Sequence, residues 1–322
     1  MMVFKTSVVG GAVVLALGCI GCDAVEEEFI GDDGILHARD AQWNDFKLND
    51  FKLNDFKLNG ARLNDFKLNG DANSTDYIEF FDVEKDNGSY TESASIVGGM
   101  LKVDGQGQTD VLWSIYNFKV KDGAAATQWR HIYIRDVDQI PNTDVWEYDL
   151  DFATSYGSWS EFCTDAQGNP VKALALPDVW DPATGNKIDP RPSGAVTFAC
   201  KNAALAKCVL FGYRPWASKN GTSLADHHQA CTRMVRADYC GDGQPHTVSG
   251  TPIHVLDQLG IQNVDLVTPY IVEAEWGPNG ATCLNPLNTR LGQTITCPNR
   301  TIPACGASFA SGGLIQSGKI VP

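Results

Sequence analysis

Beyond its first 22 residues the chain has no CxxC pair, and between Cys22 and Cys163 it has no cysteine at all. The first absence removes the ligand spacing of zinc ribbons and of thioredoxin-like redox motifs. The second says that any covalent cross-linking is confined to the C-terminal half. No HExxH or HxH spacing occurs among only six histidines, so no helical metal-protease signature is present. No apolar run approaches the roughly 20 residues that a membrane-spanning helix needs. Nor does any cluster of lysine and arginine offset a net charge of −14. Such a surface repels a phosphate backbone, and nucleic acid is excluded as a partner.

What is present begins with a short basic start at Lys5 and an apolar stretch from Val8 to Leu17. This has signal-peptide length. It runs into Ala16-Leu17-Gly18-Cys19, small residues before a cysteine, which resembles a lipobox. Residues 1–18 are therefore expected to be a lipoprotein signal peptide and Cys19 the acylated residue. Cys22, after Ile20-Gly21, is the alternative, and Asp23 would then follow it. Acyl chains contribute about 0.8 kcal/mol per buried methylene, enough for several chains to hold the protein to a bilayer. Residues 19–42 carry Asp23, Glu26, Glu27, Glu28, Asp32 and Asp33, which read as a solvated acidic tether.

Residues 43–70 repeat with a period of five: WNDFK LNDFK LNDFK LNGAR LNDFK LNG. Steps of five carry Phe and Leu around every side of a helix and flip them from face to face on a strand. The period is similar to that of pentapeptide-repeat solenoids, but Asn44, Asn49 and Asn54 stand where those repeats have a small residue. Fewer than six pentads also make less than two coils, too few to stack a core. A weakly ordered stalk is expected. Each Asp-Phe-Lys unit is charge-balanced and would meet a partner edge without repulsion.

Strand patterns follow. Val111–Val120, Gln128–Ile134 and Val145–Phe152 are rich in β-branched and aromatic residues, the last alternating almost perfectly. They define a cysteine-free β-rich unit over residues 76–155, with antiparallel strands buried on one face. Residues 156–322 hold all eight remaining cysteines: Cys163, Cys200, Cys208, Cys231, Cys240, Cys283, Cys297 and Cys305. An even number in an exported chain points to disulfides, with on the order of 100 pairings open. Ala195–Cys200, Ile253–Asp257 and Tyr270–Trp276 read as strands and Ala203–Leu210 as a short helix. A longer helix is expected from Leu224 to about Tyr239, capped by Ser223. On it, Cys231 and Cys240 would lie about 13 Å apart along the axis and half a turn out of phase, beyond the Cα separation of about 7 Å that a disulfide spans. They should take different partners. Cys297 and Cys305 bracket a proline-rich loop and are expected to pair locally. The fold class is α+β and β-rich: antiparallel sheets with one or two disulfide-pinned helices.

One block of residues is similar to a known family. Thr197-Phe198-Ala199-Cys200, Ala206-Lys207-Cys208 and Gly212–Trp216 lead to His228–Gly243, which contains Ala237-Asp238-Tyr239-Cys240. With Glu273–Trp276 and Gly280–Cys283, this resembles the ADYC domain over about residues 160–290. Lys201-Asn202 departs from the pattern, where glycines are expected. The resemblance implies an exported bacterial protein, often with Leu-Asn-Gly pentads, and carries no mechanism.

For chemistry, Cys240, His246 and Asp257 supply the residue types of a Cys–His–Asp hydrolase in the 227–257 segment. An oxidising compartment opposes this reading, because Cys240 belongs to an even set. Zinc held by His227, His246 and His254 lacks supporting spacing, since adjacent His227 and His228 point about 100° apart on a helix. Asp238 and Asp242 beside Gly241 and Gly243 lack the twelve-residue calcium-loop pattern and fit a turn after the helix. Arg233 and Arg236 read as helix-surface or buried-pair arginines. No cofactor or metal is expected. The leading functional expectation is a lipid-anchored cell-envelope module with a structural or interaction role, its partner the membrane and an envelope protein or polysaccharide. An envelope hydrolase is the alternative.

Overall fold

Alternation decides the first sheet. In residues 146–153, Tyr148, Leu150 and Phe152 are buried, while Glu147, Asp149 and Asp151 between them are half-buried. The computed structural model containing this strand describes residues 46–47, 78–79, 83–84, 90–91, 94–103, 115–122 and, with short interruptions, 126–320. Cys19, Cys22, the acidic tether and the repeat beyond Phe46–Lys47 lie outside the described residues.

The described strands, in chain order, are β1 (Phe46–Lys47), β2 (Ile78–Glu79), β3 (Val83–Glu84), β4 (Tyr90–Thr91), β5 (Ala94–Val97), β6 (Met100–Val103), β7 (Ile115–Asp122), β8 (Ala126–Gln139), β9 (Trp146–Ala153), β10 (Trp159–Glu161), β11 (Ala173–Leu176), β12 (Thr197–Cys200), β13 (Ser218–Lys219), β14 (Thr222–Ser223), β15 (Pro252–Asp257), β16 (Tyr270–Gly277), β17 (Gly280–Leu284) and β18 (Ile315–Ile320). Two α-helices, α1 (Ala204–Leu210) and α2 (Ala225–Arg236), lie between β12 and β15. The fold is α+β and strand-rich, and the strand pairings are antiparallel.

A seven-stranded sheet has the order β12-β11-β9-β8-β7-β2, with β10 beside β9. It takes strands from both sides of residue 155. A five-stranded sheet has the order β1-β15-β18-β16-β17. Helix α2 lies against β16, β17 and β18, and α1 packs on α2. The core runs between these layers. Tyr148, Phe162 and Phe198 meet edge-on, and Trp276 stacks against Tyr239 at 5.1 Å between ring centroids.

Four disulfides fix the second half: Cys163–Cys200, Cys208–Cys231, Cys240–Cys297 and Cys283–Cys305. The second joins α1 to α2. Cys231 and Cys240 do take different partners. Cys297 and Cys305 do not pair locally: Cys297 reaches back to the residue after Tyr239, and Cys305 to β17. Sequence proximity misled because β17 and the end of α2 both border this proline-rich loop.

Helix α2 is shorter than its apolar spacing suggested. It stops at Arg236 because Ala237 adopts the left-handed conformation, φ 50° and ψ 42°. The Ala237 and Asp238 amides then donate to Met234 and Arg233 carbonyls, both at 2.9 Å, the paired bonds of a Schellman end. Tyr239 therefore follows the helix rather than sitting on its face. Ser223 does not occupy the cap position either. Leu224 does, and the Ser223 hydroxyl accepts only the Ala225 amide, at 3.3 Å.

Candidate functional site

The end of α2 brings four different interactions to four consecutive residues. Ala237, in its left-handed conformation, is fully buried, so its methyl sits in the core. Asp238 is also fully buried. Its carboxylate accepts from Arg233 Nη1 at 2.5 Å and from the amides of Asp242 (3.1 Å) and Gly243 (3.0 Å). That clamps the loop after the helix to the helix itself. The Tyr239 carbonyl accepts the Ala281 amide at 2.9 Å, tying the loop to β17. Cys240 closes the disulfide to Cys297. Gly241 follows with φ +71°, where a Cβ would collide with the Asn279 carbonyl. This glycine is demanded by both its conformation and its neighbour.

Around Tyr239 lies a buried ionic network. Its hydroxyl donates to Glu273 Oε1 at 2.5 Å and accepts the Arg290 amide at 3.2 Å. Arg290 Nε bridges both Glu273 oxygens at 3.1 and 3.2 Å, and its terminal nitrogens donate to the Val235 and Met234 carbonyls. Ser317 Oγ donates to Glu273 Oε2 at 2.6 Å and accepts from the Trp276 indole at 2.8 Å. Glu273 and Ser317 are fully buried, and Arg290 nearly so. Burial, followed by the adjacent Glu273 charge, pushes the Tyr239 phenol well above its usual range. A cation at the C-terminal carbonyls of α2 also complements the helix dipole. The network thus ties α2, β16, β18 and the 290 region together, with a partner for each of the Glu273 oxygens.

The remaining candidates have local structural partners, and His227 and Asp257 share Tyr213. Asp257 accepts the Tyr213 hydroxyl at 3.0 Å and the amides of Leu259, Ile261 and Gln262. It organises the turn after β15. His246 packs its ring 5.8 Å from Tyr239. Cys240, His246 and Asp257 therefore each serve a different local structure, and the Cys240 sulfur carries no thiolate while its disulfide is intact. His227 stacks on Tyr213, whereas His228 donates from Nε2 to the Leu205 carbonyl at 2.9 Å and lies 5.7 Å from the Trp180 ring. Since a carbonyl only accepts, Nε2 carries the proton. Burial lowers both histidines, His228 to about 4. Asp242 receives no ligand role: its side chain caps the Gln244 amide. Among the described residues no group of three or more His, Cys, Asp and Glu is arranged to hold a metal.

Arg233 is a buried-pair arginine, as its helix position allowed. Besides Asp238 it donates to Thr184 O, Asn186 Oδ1 and Pro278 O. Arg236 is fully buried, donates to Gly243 O at 2.6 Å, and is lowered to about 9 by that burial. Lys201 and Asn202, which replace the expected glycines, have no left-handed φ. They use their side chains instead, Lys201 toward Glu147 and Asn202 toward the Thr164 carbonyl at 3.2 Å.

Sequence reasoning missed Glu273 and Arg290 as partners. The available signal was the strand Tyr270–Gly277, in which Glu273 and Glu275 occupy alternate positions among residues that are buried on both faces. A buried acid requires a buried base or several donors, and Arg290 is the nearest following arginine.

No curated protein and no solved structure matches the chain. The ADYC domain matches over residues 94–290. The match begins well before the motif block and takes in strands of both sheets, and its four signature residues are the four that knot the end of α2. The chain belongs to the ADYC domain family.

Proposed function

We propose that this protein is a lipid-anchored cell-envelope module whose role is structural or interactive, with Cys19 as the acylated residue, an acidic tether over 19–42 and a repeat stalk over 43–70. The observation that carries the proposal is the use made of Asp238, Tyr239 and Cys240. Each group that would be reactive is spent inside the domain, in a loop clamp, an ionic network and a disulfide. What supports export is independent of that: four disulfides fit an oxidising compartment. Among the described residues no helix is long and apolar enough to cross a membrane, and the attachment proposed is the N-terminal lipid. Envelope protein or polysaccharide is the partner class.

Fractionation with an acyl label tests the anchor. Wild type should label and sediment with membranes, and Cys19→Ser should do neither. Label kept in Cys19→Ser and lost in Cys22→Ser would move the anchor to Cys22. Thiol titration of the denatured, unreduced protein tests the rest. None of the eight cysteines from Cys163 onward should react, and a reactive Cys240 would return the hydrolase.

A further inference from the structure

The repeat is the sequence's most regular feature, and the function proposed above uses it only as a spacer. The five-stranded sheet gives it more to do. Strand β15 pairs on one side with β18, from His254↔Gly318 to Asp257↔Ile315. On its other side it pairs antiparallel with β1, Phe46↔Ile253 and Lys47↔Pro252. Phe46 and Lys47 belong to the first Asp-Phe-Lys unit of the repeat. Without them β15 would be the margin of the sheet, and a margin offers unpaired amides and carbonyls to any extended segment. Ile253 and Val255 on this marginal strand are 1% exposed and belong to the core, so the receptor strand is held in place from inside.

We infer that the β15 edge is a receptor for an Asp-Phe-Lys unit of the chain's own repeat, and that the four copies, at 45–47, 50–52, 55–57 and 65–67, compete for it. Backbone pairing reads extension and not identity, so identical units bind an edge alike. Phe favours a strand, and the flanking Asp and Lys cancel, so a docked unit brings no net charge to the edge. Pro252 on the receptor lacks an amide, which keeps the pairing short and exchangeable. The consequence for the anchored protein rests on the reading proposed above. Docking at 45–47 leaves residues 20–44 free between Cys19 and the domain, and docking at 65–67 leaves 20–64. Each step of five residues adds at most about 17 Å of extended reach. The repeat would set the domain's distance from the membrane in increments.

Hydrogen exchange of the full chain in detergent tests the docking whether or not Cys19 is acylated, so its failure is distinct from failure of the anchor. Proline cannot donate to a ladder. Phe46→Pro alone should leave the protection of the Ile253–Val255 amides unchanged, because another unit takes the edge. Phe46→Pro, Phe51→Pro, Phe56→Pro and Phe66→Pro together should lower it by about tenfold or more. Protection unchanged in the fourfold variant overturns the docking. Protection lost in the single variant overturns the competition between copies. Protection that rises with protein concentration overturns the intramolecular occupant and assigns the edge to a second copy.

Discussion

The cysteine-free strands β7 to β10 and the cysteine-bearing segment from Cys163 to Cys305 solve the same problem by different means. The first is regular: β7 and β8 pair over eight residue pairs and β8 and β9 over another eight. A charge cluster stays on its outer face, where Arg135 sits among Asp149, Asp151 and Glu161. The second has long connections, and of its described strands only β16 matches β7 and β9 in length. Two of its ion pairs go inside, Arg233–Asp238 and Arg290–Glu273, and its connections are closed by disulfides. Where ladders are long, backbone pairing and alternate burial suffice. Where they are short, the unfolded chain must be restrained and the irregular turns given buried partners.

The comparison predicts its own largest breach. Glu273→Gln leaves Arg290 buried without a carboxylate, and removing one member of a buried pair costs about 3–5 kcal/mol. At roughly 2–4 °C per kcal/mol for a domain of this size, thermal unfolding should fall by roughly 10 °C. Replacing both partners, Glu273→Leu with Arg290→Met, should cost less than the single change, because no orphaned charge remains. A double variant as unstable as the sum of its parts would mean that the pair acts through packing and not charge.

Disulfides come next, and their order is set by loop length. Cys240–Cys297 spans 57 residues and Cys208–Cys231 spans 23. Chain entropy gives roughly 4 and roughly 3 kcal/mol. Paired Cys→Ala variants compared by urea unfolding check the ranking. A reversed order would show that the α1–α2 bond does more than restrain the unfolded chain.

Much of this contrast is legible in the sequence. The strands at 115–122, 126–139, 146–153, 252–257 and 270–277 announce themselves through β-branched and aromatic residues, and every one overlaps its expected span. Other strands do not announce themselves, and two of these lie inside the sheets. Ala173–Leu176 reads Ala-Leu-Ala-Leu, a helix-former composition, and is a strand because β9 and β12 pair with it on either side. Ile315–Ile320 contains Ser, Gly and Lys, yet it is the middle of the five-stranded sheet. Tertiary pairing overrides local preference in both. At the candidate site, the separate partners of Cys231 and Cys240 are legible. The partners themselves are not, because a spacing excludes contacts more readily than it assigns them. The end of α2 was hidden for a different reason: an alanine, not a glycine, takes the left-handed position.

The third effect is acid sensitivity in the cysteine-bearing half. His228 is held neutral by burial, with its pKa lowered from 6.5 to about 4. Above pH 6.5 neither state binds the proton and the group contributes nothing. As pH falls from 6.5 toward 4 the unfolded chain takes up a proton that the folded one refuses, and stability is lost across that window. The shift corresponds to roughly 3 kcal/mol by pH 4. His228→Phe loses the bond to Leu205 but should flatten the slope of stability against pH between 6.5 and 4. An unchanged slope would place the acid sensitivity elsewhere.

The smallest effect belongs to the regular half and is the sharpest control on the comparison. Arg135 donates to Asp149 and Glu161, and its Nε lies 3.6 Å from Asp151. The same kind of grouping, one cation among carboxylates, would be decisive in the core. Here the side chains of Arg135, Asp149 and Glu161 are each 29% exposed, so water and salt share the load. Exposed pairs contribute roughly 0.2–1 kcal/mol. Arg135→Gln should stay within that range, although it leaves three carboxylates facing one another. Their repulsion is screened over a Debye length of roughly 8 Å at physiological salt and roughly 3 Å at 1 M. The cost of Arg135→Gln should therefore shrink as salt rises, while the cost of Glu273→Gln, sealed from solvent, should hardly move. Chemical unfolding in urea at two salt concentrations separates them. Equal salt dependence in the two variants would mean that both clusters feel the solvent alike, and that the division between an outward-charged sheet and an inward-charged, cross-linked half is one of geometry without an energetic counterpart.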